Sequence, residues 1–214
     1  MKTTDELISQ LASELEPVKP VKDTSARSLV WLGLSTVFAL LAIHWYGPIR
    51  PGALQQLLTH PRFMLEILFG SATIAVLALA GFRSAIPAAS APRLAFVGLV
   101  MLALWLASYL VGIVSPAVEP SMLGKREHCV FETFLYGLPP AVLGIVVCLR
   151  LYPLNPGVMA LRIGLAAGLI PALYMQIACM YDPVHALTLH MLPGILLGLG
   201  CAGLVWLVER RQRN

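Results

Sequence analysis

The sequence predicts an all-α, polytopic membrane protein with six transmembrane helices and both termini in the cytoplasm. Of its 214 residues, 58% are apolar and only 12% are charged, whereas a soluble domain carries about a quarter charged residues. The chain also contains long runs without Asp, Glu, Lys or Arg, which suit the hydrocarbon core of a bilayer. This composition excludes a soluble enzyme, a disordered chain and a disulfide-rich secreted scaffold.

The uncharged runs define six predicted spans in chain order. A helix needs about 20 apolar residues to cross the membrane, and shorter runs can borrow flanking residues because Lys or Arg at a helix end can reach the interface. The predicted spans are Ser28–Ile49, Phe63–Phe82, Leu94–Val118, Thr133–Leu149, Ile163–Tyr181 and Pro183–Val208. They divide the chain into an N-terminal segment (1–27), a transmembrane domain (28–208) and a short basic tail (209–214). Two GxxxG steps, Gly164/Gly168 and Gly194/Gly198, predict close packing of spans five and six.

The predicted orientation comes from the distribution of Lys and Arg among alternate loops. The N-terminal segment, the second and fourth loops and the tail together hold eleven of these residues, while the remaining loops hold four. Because cytoplasmic loops are enriched in Lys and Arg, both termini are predicted in the cytoplasm. The net charge of +4 then reflects the enrichment of Lys and Arg in cytoplasmic loops, and it does not indicate direct binding of nucleic acid. Membrane lipid is the expected surrounding partner.

Residues 4–16 predict a short amphipathic helix ahead of the first span. Thr4 is the candidate N-cap, and Asp5 and Glu6 fall in the first turn, where the helix dipole favours negative charge. One apolar stripe on this helix is formed by Leu7, Ile8, Leu11 and Leu15. A helix of about 13 residues is marginal alone in water, so the stripe requires a surface that covers it.

Three surfaces can cover that stripe. Helices that lie on a bilayer are usually rich in Lys and Arg, whereas this one is acidic. The protein's own cytoplasmic loops and a groove on another protein both remain open. An acidic amphipathic helix suits a basic partner such as a DNA-binding protein.

Thiol and imidazole groups gather on the predicted outer side of the bundle. All five histidines fall there (His44, His60, His128, His185 and His190), together with two of the four cysteines. The segments REHCVFE and CMYDPVH bring together His128, Cys129, Cys179, Asp182 and His185. Three interpretations remain open. The residues can bind a soft or borderline metal, or the two thiols can form a disulfide. Alternatively, they are ordinary polar residues at the membrane surface without a common function. Cys148 and Cys201 lie within spans and are predicted to be buried apolar side chains.

Four segments of the sequence resemble the NrsF family, six-helix inner-membrane anti-sigma factors named as negative regulators of sigma F. The segments are TDELISQLASELEPVKPV, the HC of REHCVFETFLYGLPPA, LRLYPLNPGVMALRIGLAAG and CMYDPVHALTLHMLPG. The resemblance extends over nearly the whole chain. It implies a regulatory protein of the bacterial inner membrane rather than an enzyme.

The resemblance also implies roles for particular residues. The N-terminal segment would hold an extracytoplasmic-function sigma factor in the cytoplasm, through Leu7, Ile8, Leu11, Leu15 and Val18. Cys129 and Cys179 would sense heavy metals or oxidants and trigger release of the sigma factor. No cofactor is expected other than a transient heavy-metal ligand. The competing functions are a membrane thiol-redox protein and a small metal transporter.

Overall fold

The structure is a computed structural model that describes residues 3–13, 23–89 and 91–213, and it confirms the all-α prediction. Among these residues, seven α-helices precede the last one: α1 (Thr4–Ser13), α2 (Thr24–Tyr46), α3 (Ala53–Thr59), α4 (Pro61–Ser84), α5 (Pro92–Val114), α6 (Cys129–Leu149) and α7 (Pro156–Ala178). Helix α8 is continuous in three parts: an α-helical turn (Pro183–His185), a π-helical turn (Ala186–Met191) and an α-helix (Leu192–Arg213). Within the described ranges, six helices are long and apolar enough to span a membrane, and they correspond to the six predicted spans.

The helix ends differ from the predicted ones by several residues. Helix α6 begins at Cys129 rather than Thr133, and α8 continues beyond Val208. The reason is that charged residues such as Glu132 and Arg210 lie inside the helices, so an uncharged run marks only the apolar centre of a span. The short helix α3 was not predicted.

The N-terminal helix α1 begins at Thr4, where the predicted helix begins, but its N-cap differs from the predicted one. The Thr3 hydroxyl accepts a hydrogen bond from the Glu6 N–H (3.3 Å), and the Glu6 carboxylate accepts one from the Thr3 N–H (2.8 Å). This reciprocal pair is a capping box, so Thr3 and not Thr4 is the N-cap. Residues 14–16 of the predicted helix lie outside the described residues.

Helix α7 is the central helix of the bundle. It packs against α2, α4, α6 and α8, and 72% of its most apolar stretch is buried, compared with 28% for α2, α5 and α8. The surrounding helices expose large apolar side chains, among them Leu34, Leu41, Leu104 and Leu204. Such side chains suit contact with lipid, as expected for a multi-pass membrane protein.

The contact between α7 and α8 depends on facing glycines. A Cβ placed on Gly168 would lie 2.9 Å from the Gly194 Cα, and one placed on Gly164 would lie 2.9 Å from the Gly198 Cα. Both distances are below van der Waals contact, so only hydrogen atoms fit between the two backbones. The prediction that both GxxxG steps serve helix packing is confirmed.

Arg126 fastens the end of α2 to the beginning of α6. Its Nη1 donates to the Glu132 carboxylate at 2.8 Å, and both side chains of this ion pair are almost fully buried. Its Nη2 donates to the carbonyl oxygens of Ile43, Gly47 and Pro48, at 3.1, 2.8 and 3.1 Å. Because terminal helix carbonyls lack partners inside the helix, one guanidinium both caps α2 and positions the first turn of α6.

A buried polar network links α4, α5 and α7 near the same end of the bundle. The Glu66 carboxylate accepts hydrogen bonds from the Gln176 amide (3.1 Å) and from the Tyr181 hydroxyl (3.4 Å). The Tyr109 hydroxyl in turn donates to the Gln176 carbonyl oxygen at 2.6 Å. These contacts satisfy polar groups that cannot reach water inside a membrane.

The glycine contact gives a prediction about stability. Gly168→Ala should lower the free energy of unfolding in detergent by about 1–3 kcal/mol, because the added methyl group meets the α8 backbone. The matched control is Gly200→Ala in α8, where a Cβ meets nothing within 4 Å. That variant should be neutral or slightly stabilised, since alanine favours a helix over glycine. Equal denaturation midpoints for the two variants would contradict this packing.

A second prediction concerns Arg126. Replacing it with alanine leaves the Glu132 carboxylate buried without its ion-pair partner. Arg126→Ala should therefore lower the free energy of unfolding by about 3–5 kcal/mol. The neighbouring Lys125 is exposed, and Lys125→Ala should leave stability almost unchanged. Chemical denaturation of both purified variants measures the difference, and a loss below 1 kcal/mol for Arg126→Ala would refute the role of the ion pair.

Candidate functional site

The candidate site lies where α6 begins, α7 ends and α8 begins. It contains Cys129, the first residue of α6, Cys179, which directly follows α7, and His185 in the first turn of α8. His190 in the π-helical turn of α8 completes the group, and all four side chains are buried. These four residues are called the Cys/His cluster below.

Three atoms of the Cys/His cluster form a nearly equilateral triangle. The two sulfur atoms of Cys129 and Cys179 are 3.6 Å apart, and each lies 3.5 Å from Nε2 of His185. The potential ligand atoms of all four residues, including His190, lie within 4.8 Å of one another. Both cysteines are free thiols.

The turn between α7 and α8 holds Cys179 in place. The Cys179 N–H continues the helical pattern by donating to the Met175 carbonyl at 2.8 Å, although Cys179 itself is extended. Two residues later, the Tyr181 carbonyl accepts from the Ser121 N–H (3.0 Å) and the Tyr181 hydroxyl accepts from the Ala117 N–H (3.2 Å). The loop between α5 and α6 therefore braces the turn that carries the thiol.

The residues just before His185 form a typical helix N-terminus beside the cluster. The Asp182 carboxylate accepts the backbone N–H of His185 at 2.7 Å, and Pro183 occupies the first position of the helix. Both residues are typical of helix N-termini. Asp182 thus acts as the N-cap of α8 and lies outside the group of four, as does His128, an exposed residue at the N-cap of α6.

His190 joins the cluster because α8 is π-helical at this point. In an α-helix, residues five apart are rotated by about 140°, which would turn His190 away from His185. A π-helical turn closes with hydrogen bonds between residues five apart, here from the Leu192 N–H to the Leu187 carbonyl. The two imidazole rings consequently meet edge to face, with centroids 4.9 Å apart.

Pro193 supplies the only signal in the sequence for this irregular turn. Proline has no N–H to donate to the carbonyl four residues earlier, and its ring clashes with that carbonyl. For Pro193 this carbonyl belongs to Leu189, which lies inside the π-helical turn. A proline can be accommodated by a simple kink as well, so the sequence alone does not predict a π-helical turn. The participation of His190 was missed for this reason.

The two thiols of the site influence each other's acidity because they are hydrogen-bonded to each other. The pKa of the Cys179 thiol is lowered, chiefly by its hydrogen bond with the Cys129 thiol and further by the one with His185, while burial acts in the opposite direction. Arg50 is buried close by, with its guanidinium carbon 5.9 Å from the ring centroids of both Phe63 and Tyr181. Burial lowers the pKa of Arg50, while negative charge on Cys179 opposes that shift.

Chemically, this site can perform two kinds of reaction. Two thiols and two imidazoles form a donor set that suits soft and borderline cations. The same two sulfur atoms are close enough to form a disulfide after a modest movement. The other two cysteines lie apart from the site: Cys148 is fully buried near the opposite end of α6, and Cys201 is partly buried in α8.

The predicted partner-binding residues lie in or near α1. The side chains of Leu7, Ile8 and Leu11 are 49%, 58% and 57% exposed, so the described part of the protein leaves this stripe uncovered. The alternative that α1 covers the protein's own loops therefore receives no support from the described residues. Leu15 and Val18 lie outside the described residues.

Comparison with known proteins identifies the family. A family model described as negative regulator of sigma F, NrsF, matches residues 11–210, which is nearly the whole chain. No curated protein and no solved structure matches the chain. The family description makes a sigma factor the regulated partner. The chain is therefore a multi-pass membrane protein that belongs to the NrsF family of negative regulators of sigma factors.

Proposed function

We propose that this protein is an anti-sigma factor of the bacterial inner membrane that holds an extracytoplasmic-function sigma factor at the cytoplasmic face. The observation that carries the proposal is the apolar stripe of α1, with Leu7, Ile8 and Leu11 about half exposed. An apolar stripe on a short helix is typical of segments that dock into a groove on a partner. The excess of Lys and Arg in alternate loops supports a cytoplasmic location for both termini.

The second part of the proposal concerns the signal. Cys129 and Cys179 sense a heavy metal or an oxidant from the periplasmic side, and the sigma factor is then released. Two buried thiols 3.6 Å apart, with His185 equally close to both, are well arranged for either input. Each input would draw together the beginning of α6 and the end of α7.

The two competing functions have less support. A membrane thiol-redox enzyme usually carries a second cysteine pair, whereas Cys148 and Cys201 lie in separate parts of the bundle, away from the cluster. A metal transporter needs polar groups along its path through the membrane. The central helix α7 offers only buried apolar side chains and glycines from Ile163 to Ala172. We therefore propose regulation without catalysis.

Docking through α1 gives a testable prediction. Leu11→Asp should release the sigma factor and switch on its genes without an inducer, because burial of one such side chain contributes about 1.5–3 kcal/mol, or roughly 10-fold or more in affinity. Co-purification of the sigma factor with the intact membrane protein measures the loss. The matched control is Ser9→Asp, which adds the same charge to the polar face of α1 and should keep repression. Full repression by the double variant Leu7→Asp/Leu11→Asp would show that docking does not use this stripe.

The thiol pair gives a further prediction. Cys129→Ser and Cys179→Ser should each abolish the response to heavy metal or oxidant, and the double variant should resemble either single one, because the two sulfurs act together. Cys148→Ser and Cys201→Ser should respond like the wild type. A reporter gene controlled by the sigma factor provides the measurement. A normal response in the Cys129/Cys179 double variant would remove the sensor role from these residues.

A further inference from the structure

We infer that the Cys/His cluster is a tetrahedral site for one divalent d10 cation, of the zinc or cadmium type, in which His190 is the fourth ligand. The inference deepens the proposed function and rests on it for its biological meaning, since it names the ligands of the proposed sensor. It replaces the set predicted from sequence, in which His128 and Asp182 stood beside Cys129, Cys179 and His185.

The first support is the geometry of the three closest atoms. Typical bond lengths of about 2.3 Å to sulfur and 2.0–2.1 Å to nitrogen give tetrahedral edges of about 3.8 Å between two sulfurs and about 3.6 Å between sulfur and nitrogen. The observed edges are 3.6 Å between the Cys129 and Cys179 sulfurs and 3.5 Å from each sulfur to His185 Nε2. The triangle therefore already has the dimensions of one face of such a site. A disulfide of about 2.05 Å would instead require the sulfurs to approach by about 1.5 Å.

The second support is the condition of His190. Its side chain is fully buried, and neither ring nitrogen makes a hydrogen bond of ordinary length and angle among the described residues. Buried polar groups almost always have a partner, so an imidazole in this state needs an explanation. Its ligand atom lies within 4.8 Å of those of the other three residues, which is close enough for it to become the fourth ligand after a small movement. A cation bound there would satisfy the orphaned ring.

The third support is the balance of charge. A divalent cation bound by two thiolates and two neutral imidazoles forms a neutral complex, which avoids the cost of burying net charge. Its formation displaces the protons that the thiols still carry. The nearby Arg126–Glu132 ion pair is already neutral, with 2.8 Å between its charged atoms, and Arg50 is a separate buried positive charge beside Cys179. The Asp182 carboxylate caps α8, so the cluster presents no carboxylate ligand of the kind that Mg²⁺ and Ca²⁺ require.

A cavity lies beside the chain segment that leads into Cys129. It has a volume of about 320 Å³ and lies between the chain that follows α2 and the chain that precedes α6. Arg126 and the exposed residues Glu127 and His128 line this cavity. The Arg126 carbonyl oxygen, on its wall, accepts a hydrogen bond from the Cys129 thiol at 3.4 Å. The loop that lines the cavity is thus in direct contact with the Cys129 thiol.

The test uses Co²⁺ as a spectroscopic probe on the purified, reduced, full-length protein in detergent. We expect one Co²⁺ per chain, the intense visible bands of tetrahedral Co²⁺, and charge-transfer absorption from thiolate. Zn²⁺ and Cd²⁺ should each displace Co²⁺, and their relative affinities identify the preferred cation, whereas Mg²⁺ and Ca²⁺ should not displace it. His190→Ala should weaken binding roughly 100-fold or more, because loss of a ligand exceeds the 10–100-fold effect of losing an outer partner. The matched control is His60→Ala, a histidine outside the cluster.

Two results would overturn the site. One is an octahedral Co²⁺ spectrum in the wild type, and the other is unchanged affinity in His190→Ala. If His190→Ala does not fold, X-ray absorption spectroscopy of the Zn²⁺-loaded wild type provides the test. We expect two sulfur and two imidazole nitrogen ligands. Any other set of ligands would contradict the inference. These measurements need no sigma factor. A cluster that binds Co²⁺ in a protein whose cysteine variants still respond to inducers would uphold the site and refute the proposed function.

Discussion

Polar groups that are buried inside a membrane-spanning bundle have no water to bond, and they must therefore find partners within the protein. Most of the structure near the Cys/His cluster follows from this constraint. Arg126 supplies donors to the last carbonyls of α2 and to Glu132, and Glu66 accepts from Gln176 and Tyr181. The hydrophobic effect gives little drive for helix association in lipid, so close packing, as at the glycine contact of α7 with α8, and these polar contacts hold the helices together. The cluster consequently lies at a junction of three helices.

The sequence was sufficient for the six spans and for bringing Cys129 and Cys179 to the same end of the bundle. Both depend on simple rules, because uncharged runs mark spans and successive spans alternate in direction. The helix ends were less accurate, since residues such as Glu132 are charged and yet lie inside a helix with a partner. His190 was missed because the π-helical turn breaks the regular periodicity on which sequence reasoning relies. The N-cap of α1 was displaced by one residue, since Thr3 and Thr4 are chemically equivalent candidates.

The same contacts offer a physical route from the cluster to the N-terminal segment. Arg126 ties the beginning of α6 to the end of α2, and the Trp31 indole of α2 donates to the Pro140 carbonyl of α6 at 3.0 Å. A shift of α6 at Cys129 would thus be transmitted to α2, which follows the proposed sigma-binding segment in the chain. A ligand changes such an equilibrium only through its different affinities for the two states, and couplings of about 1–3 kcal/mol are typical. A coupling of that size is sufficient to change the fraction of sigma factor that is held.

The most direct test of this proposed link is the affinity of the sigma factor for the full-length protein in lipid nanodiscs, measured with and without Cd²⁺. Both faces of a nanodisc are accessible, so the result does not depend on orientation. We expect Cd²⁺ to weaken binding of the sigma factor by roughly 5–150-fold in the wild type, as a coupling of about 1–3 kcal/mol implies, and to have no effect on Cys129→Ser. Identical affinities with and without Cd²⁺, in wild-type protein whose cluster is fully loaded with the cation, would contradict the link.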